Sequence, residues 1–269
     1  MILVNGVISD SIPATDRGLA YGDGIFRTLL MRGSRPLHWP LHYAKLDTDC
    51  RALGMDCPHE AVLAREITQA AQHEPDCVLK IIVTRGAGQR GYAPPPAAQT
   101  TRVVMTAPLP RHPEEFTQTG IEARLCGIRL GPQPALAGLK HLNRLENVLA
   151  RAEWSDPAIA EGVLLDIEGS VIGGTMSNLF IVERGALFTP DLARCGVAGV
   201  TRARLMQAAA AHGMVCGVEN ISSARLLQAD AILLVNSIIG VWQVVRLAGR
   251  TWTPATVVRQ LREWLDGGN

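Results

Sequence analysis

The spacing of apolar residues changes along the chain, and that spacing separates helices from strands. Residues 2–7 read as a strand entering a turn at Asn5-Gly6, a pair that favours tight hairpins. Apolar residues recur at helical spacing over 41–53, which points Leu41, Ala44 and Leu53 inward. Over 61–71 the same spacing points Leu63, Ile67, Ala70 and Ala71 inward. The segments 78–84 and 102–106 predict strands, the first rich in β-branched residues. Further on, 121–126, 162–167, 178–183 and 231–235 also predict strands, and Leu145, Val148, Leu149 and Ala152 have helical spacing. Residues 201–212 predict a helix closed by Gly213, since glycine accepts the left-handed conformation that ends helices. A last helix is predicted from Thr253-Pro254, with Val257, Val258, Leu261 and Leu265 inward.

Between these blocks the stretch 107–113 holds three prolines in seven residues, which neither a helix nor a central strand can continue. The expected organisation is a small N-terminal domain over 1–107, a linker over 108–119 and a larger C-terminal domain over 120–269. Strands and helices mix without strict βαβ alternation, so the fold class is α+β, two mixed α/β domains.

Composition narrows the function. The chain has 269 residues, 47% of them hydrophobic, enough for a substantial buried core. Its net charge of +1, with no long run of one sign, argues against nucleic acid or a membrane surface as partner. The longest uncharged stretch, 231–245, is too short to span a bilayer. The opening residues lack the basic start and apolar core of a signal peptide. The six cysteines form no CxxC pair and no zinc-spaced cluster, so no metal is expected. A reduced, cytoplasmic protein is the expectation.

The chemistry-bearing residues stand out by scarcity. Only three of the 26 basic residues are lysines, Lys45, Lys80 and Lys140. Lys45 lies on a predicted helix and Lys80 interrupts an apolar strand. Lys140 lies just before a helix and two residues after the flexible Gly138. An amine becomes nucleophilic when burial or a nearby cation lowers its pKa, so spacing alone leaves Lys140 either a reactive amine or a solvated loop lysine. The stretch Gly86-Ala-Gly-Gln-Arg-Gly91 spells GxGxxG, but Tyr92-Ala-Pro-Pro-Pro96 follows and forbids the helix that a dinucleotide site needs. Glu146 lies three residues after Asn143, near the spacing of a helix-capping box, and is read as structural.

The segment from Gly138-Leu-Lys-His-Leu-Asn-Arg-Leu-Glu146 through Leu149 resembles the lysine segment of the fold-type-IV pyridoxal-phosphate enzymes. Its His-Leu-Asn-Arg-Leu-Glu continuation is most similar to the aminodeoxychorismate lyases of that family. Asp16-Arg-Gly18, Tyr21 to Phe26, Arg85 to Tyr92, Ser177 to Phe180 and Gly196 to Arg202 match in the family's order over nearly the whole chain. The resemblance implies a cofactor, pyridoxal 5′-phosphate, in a cleft between two domains, and a homodimer. It implies Lys140 as the Schiff-base lysine and catalytic base. It implies Val200 and Thr201 as phosphate ligands, since free N–H groups at a helix start suit a dianion. Ser237 is a further phosphate candidate. Arg27, Arg90 and Tyr92 are candidate contacts to substrate carboxylates, with a surface position the alternative for Arg27. The implied activity converts 4-amino-4-deoxychorismate to 4-aminobenzoate and pyruvate, a step of folate biosynthesis.

Two positions depart from the family pattern. Lys45 stands where an arginine usually binds the cofactor phosphate, keeping the charge but losing the two-point fork. Gly173 stands where a glutamate usually pairs with the cofactor ring nitrogen, with Asp166 or Glu168 as candidate substitutes. A transaminase depends on that electron sink, whereas a lyase whose product becomes aromatic has a second driving force. Gly173 therefore favours a lyase. The alternatives are a D-amino-acid or branched-chain aminotransferase of the same fold, and a non-catalytic pyridoxal-phosphate-binding protein.

Overall fold

Asn5 and Gly6 both adopt positive φ, 50° and 83°, the backbone a two-residue type I′ hairpin requires. They join β1 (Ile2–Val4) to β2 (Val7–Ile8) in the computed structural model, which describes residues 1–267. The chain divides into two compact units. The first holds Met1–Pro110 and Lys140–Asn143; the second holds Arg111–Leu139 and the residues from Arg144 onward.

The first unit continues with α1 (Arg17–Tyr21), β3 (Gly24–Arg32), β4 (Arg35–Pro36), α2 (Trp39–Ala52), α3 (Glu60–Ala70), β5 (Cys77–Thr84) and β6 (Thr101–Ala107). Its six strands form one antiparallel sheet in the order β2-β1-β6-β5-β3-β4. Leu29, Met31, Leu79 and Ile81 on one face pack with Leu46, Leu63 and Ile67 from α2 and α3. Full burial of each such side chain stabilises the fold by about 1.5–3 kcal/mol. The expected inward face of α3 is observed, with Glu66 added to it and bonded to Arg102. The face of α2 differs from expectation. His42, Leu46, Asp49 and Cys50 are buried, while Leu41 and Ala44 face outward. The apolar spacing misplaced this face because two of its inward residues are polar.

The second unit begins with α4 (Glu115–Gln118), β7 (Ile121–Leu130), α5 (Leu145–Arg151), β8 (Ile159–Asp166), β9 (Val171–Gly174), β10 (Asn178–Glu183) and β11 (Ala186–Pro190). It ends with α6 (Val200–Ala211), β12 (Cys216–Glu219), α7 (Ser223–Gln228), β13 (Ala231–Asn236), β14 (Gly240–Leu247), β15 (Arg250–Thr251) and α8 (Thr256–Asp266). One mixed sheet runs β12-β11-β10-β13-β14-β7-β8-β9, with β15 beside β14. Leu179, Ile181, Ile232 and Leu234 face one core; Phe180, Val182, Leu233 and Val235 face another beneath α6 and α8. Both faces of β10 and β13 are thus covered, which explains their unbroken apolar runs.

Two helix expectations need correction. The last helix starts at Thr256, not at Thr253-Pro254, because the Gln243 amide holds the stretch before it by bonding the Thr253 carbonyl and the Ala255 N–H, each at 2.9 Å. No side chain caps α5, so Asn143 and Glu146 form no capping box; Asn143 instead packs against Gly22. The apolar residues of α5 face outward, Leu145, Val148 and Leu149 being 68%, 60% and 52% exposed. Among the described residues no helix is long and apolar enough to cross a membrane.

Candidate functional site

In the first unit, residues 140–143 run along β3. The Phe26 N–H donates to the Lys140 carbonyl and the Leu142 N–H to the Gly24 carbonyl, both at 2.9 Å. Gly24 has no room for a side chain, because a Cβ there would meet the Val83 carbonyl at 2.6 Å and Leu142 at 2.9 Å. The Lys140 N–H donates to the Asp49 carboxylate at 3.2 Å. With its N–H and its carbonyl both engaged, the main chain at Lys140 is fixed, and its Nζ lies 4.4 Å from the centroid of the Phe26 ring.

Asp49 is fully buried and gathers two cations besides. Arg27 reaches it from β3 and Lys45 from one turn earlier on α2. Arg27 also donates to the Lys45 carbonyl at 3.3 Å, while its Nε is buried without a hydrogen-bond partner. The surface alternative for Arg27 is therefore corrected: it is 2% exposed, and Asp49 holds its guanidinium. Burial and the Arg27 charge push the Lys45 ammonium down to about 8. Burial likewise pushes Arg27 down to about 10.

Lys80 lies on the opposite face of the sheet from Arg27 and meets Lys140 at Phe26. It lies on β5 opposite Thr28, on the same sheet face as Phe26, and its Nζ is 5.2 Å from the Phe26 ring centroid. Two of the three lysines thus meet at one aromatic ring. Arg90 and Tyr92 lie apart on an exposed loop, Tyr92 being 85% exposed. Arg17 shapes that loop by donating to the Gly91 and Tyr92 carbonyls at 2.9 and 2.8 Å, and the GxGxxG stretch forms no helix.

The second unit holds the other predicted residues. Val200 and Thr201 open α6, which no side chain caps. The Thr201 and Ser237 hydroxyls lie 3.1 Å apart, so two hydroxyls meet beside the first turn of a twelve-residue helix. Asn178 shapes the approach, donating to the Val197 carbonyl at 2.7 Å and accepting from the Gly199 N–H at 3.0 Å. Gly138 is bridged to the same turn, its N–H donating to the Gly196 carbonyl at 3.0 Å and its carbonyl accepting from the Ala198 N–H at 3.1 Å.

Around Gly173 the acids are committed elsewhere. Asp166 accepts the Glu168 and Ser170 N–H groups in the turn between β8 and β9. Glu168 forms a two-point pair with Arg194 on the surface. A Cβ at Gly173 would meet the Ser177 carbonyl at 2.9 Å, so this turn leaves no space for a side chain there. The one fully buried acid nearby is Glu161, which accepts from Gly162, Thr175, Met176 and Ser177 and braces the 174–177 turn.

Sequence reasoning missed Asp49, Lys80 and Glu161 as members of these clusters. The signals were present but weak: a charge breaking an apolar strand at Lys80, and an acid four residues after Lys45.

Within the first unit the lysine beside a buried cationic cluster suits an aldehyde and an anion; within the second, the uncapped helix start beside two hydroxyls suits a phosphate ester. Comparison with known proteins bears on the same chemistry. Residues 24–247 match the family described as amino-transferase class IV. An aminodeoxychorismate lyase of Vibrio harveyi is 34% identical over 90% of this chain and 89% of its own length. The crystal structure of 4-amino-4-deoxychorismate lyase from Pseudomonas aeruginosa is 44% identical, covers 99% of this chain and 98% of that one, and superposes with a TM-score of 0.94. A hypothetical aminotransferase from Mycobacterium tuberculosis, solved with pyridoxal phosphate bound, shares the fold at 21% identity, with a TM-score of 0.85 and coverage of 99% and 98%.

Proposed function

This chain belongs to the amino-transferase class IV family, and from that premise we propose that it is a pyridoxal-phosphate lyase converting 4-amino-4-deoxychorismate to 4-aminobenzoate and pyruvate. The observation that carries the reading is the placement of Lys140, its main chain held on both sides and its amine above the Phe26 ring. When bound, pyridoxal phosphate supplies the electron-withdrawing ring that lets a proton leave the carbon bearing the substrate amine. Lys140 Nζ holds the cofactor through its aldehyde and then takes that proton as general base. In the second unit the Val200 and Thr201 N–H groups, with the Thr201 and Ser237 hydroxyls, bind the phosphate, and in the first unit Lys45 is a candidate cation for it. Lys80 holds a substrate carboxylate from beside the Phe26 ring, and Arg90 and Tyr92 offer a guanidinium and a phenol from the exposed loop.

Gly173 favours the lyase over a transaminase. No acid among its described neighbours replaces the missing carboxylate, because Asp166, Glu168 and Glu161 are already engaged. Loss of enolpyruvate makes the ring aromatic, and that gain drives the reaction where a weak electron sink does not. The purified protein is expected to release pyruvate from 4-amino-4-deoxychorismate and to transfer the amino group of D-alanine to 2-oxoglutarate slowly or not at all. Fast transamination without pyruvate release would overturn the assignment.

The reading extends to a cytoplasmic homodimer. The six cysteines are all unpaired, which suits a reducing compartment. The exposed apolar row on α5 suits a subunit contact. Sedimentation at micromolar concentration is expected to show twice the chain mass; a monomer would refute the dimer.

A further inference from the structure

We infer that Asp49 is a positioning residue for Lys140: one buried carboxylate fixes the lysine's main chain and holds Arg27 and Lys45 beside it. This rests on the proposed role of Lys140 as the cofactor-bearing amine.

Asp49 has three partners from three separate parts of the first unit. Arg27 comes from β3, Lys45 from its own helix, and the Lys140 N–H from the 140–143 segment. Its carboxylate is fully buried, so the alternative to these bonds is not solvation by water. Asp49 on its own helix and Arg27 on β3 both face Lys45. Cys50 faces Arg27, and its hydrogen bond with Cys57, together with burial, pushes its thiol up. Without the Asp49 charge, Arg27 and Lys45 would repel each other unscreened, and Lys45 would shed its proton more readily. Without an acceptor oxygen at position 49, the Lys140 N–H would lose its bond and the lysine main chain one of its two anchors.

Two substitutions separate these effects. Asp49→Asn keeps an oxygen for the Lys140 N–H and removes the charge. Asp49→Ser removes the charge and draws its one oxygen a bond back toward the helix, away from the Lys140 N–H. Because the chain has three lysines, protein labelled with ¹³C,¹⁵N-lysine gives three backbone amides and three side-chain amines to follow by NMR. In the cofactor-loaded protein, Asp49→Asn is expected to lower the Lys45 titration midpoint by about one pH unit or more, with Lys140 amide exchange near the wild-type rate. Asp49→Ser is expected to speed Lys140 amide exchange about tenfold or more. A Lys45 midpoint unchanged in Asp49→Asn, or Lys140 protection unchanged in Asp49→Ser, would overturn the inference. If Asp49→Ser does not fold, the Lys45 titration in Asp49→Asn decides alone. Neither readout requires turnover, so these shifts appear or fail separately from the lyase assay.

Discussion

Lys140→Ala is expected to abolish the visible absorption of the bound cofactor and to lower turnover by roughly 10⁴-fold, the upper range for a positioned proton-transfer group. The effect should be chemical and not structural. The bonds that hold this segment use the main chain: the Lys140 N–H to Asp49, the Lys140 carbonyl from Phe26, and Leu142 to Gly24. Alanine keeps all three, so the urea midpoint should stay near that of the wild type. Lys45→Ala and Lys80→Ala serve as controls, since they remove the only other lysines and should leave the cofactor's link to Lys140 in place. An alanine variant at 140 that stays yellow and turns over within tenfold of the wild type would remove the basis for the proposed function.

Glu161→Ala should cause the largest loss of stability among the acids of the second unit, about 3–4 kcal/mol. The carboxylate accepts from the N–H groups of Gly162, Thr175 and Met176 and from the hydroxyls of Thr175 and Ser177. Alanine leaves these donors without their acceptor, and the turn they form leads directly into Asn178. Asn178 in turn bonds the Val197 carbonyl and the Gly199 N–H at the start of α6. The variant should therefore also retain cofactor less well. Glu161→Gln keeps one acceptor oxygen and should lose less. Urea unfolding at constant m-value measures the difference. A midpoint for Glu161→Ala equivalent to less than about 1 kcal/mol of loss would mean that the turn holds itself.

Much of the local structure was legible along the chain. The Asn5-Gly6 hairpin, the apolar face of α3, the runs of β10 and β13, and the helix opening at Val200 all depend on residues a few positions apart. Lys140 was legible for another reason: lysine is so scarce here that its position before a helix drew notice, and the residues around it matched a known pattern. The face of α2 was not legible. Periodicity treats apolar positions as inward, and α2 turns His42 and Asp49 inward instead. Arg27 was misjudged with it, because a charged residue in a strand is expected to seek solvent unless a buried counter-ion is known in advance. The start of α8 was misread because Gln243, ten residues earlier, holds Thr253 and Ala255 out of the helix.

Period, turn chemistry and residue scarcity were enough to specify the α+β class, most elements and the amine that carries the proposed chemistry, because each acts over a few residues. Packing alone decided which charges share one buried acid, that Lys80 and Lys140 meet over Phe26, and that the acids near Gly173 are engaged. The pairings of Asp49 with Arg27 and Lys140, and of Lys80 with Lys140, join positions tens of residues apart, and the free energy of a buried charge depends on what surrounds it in space, which linear order does not encode.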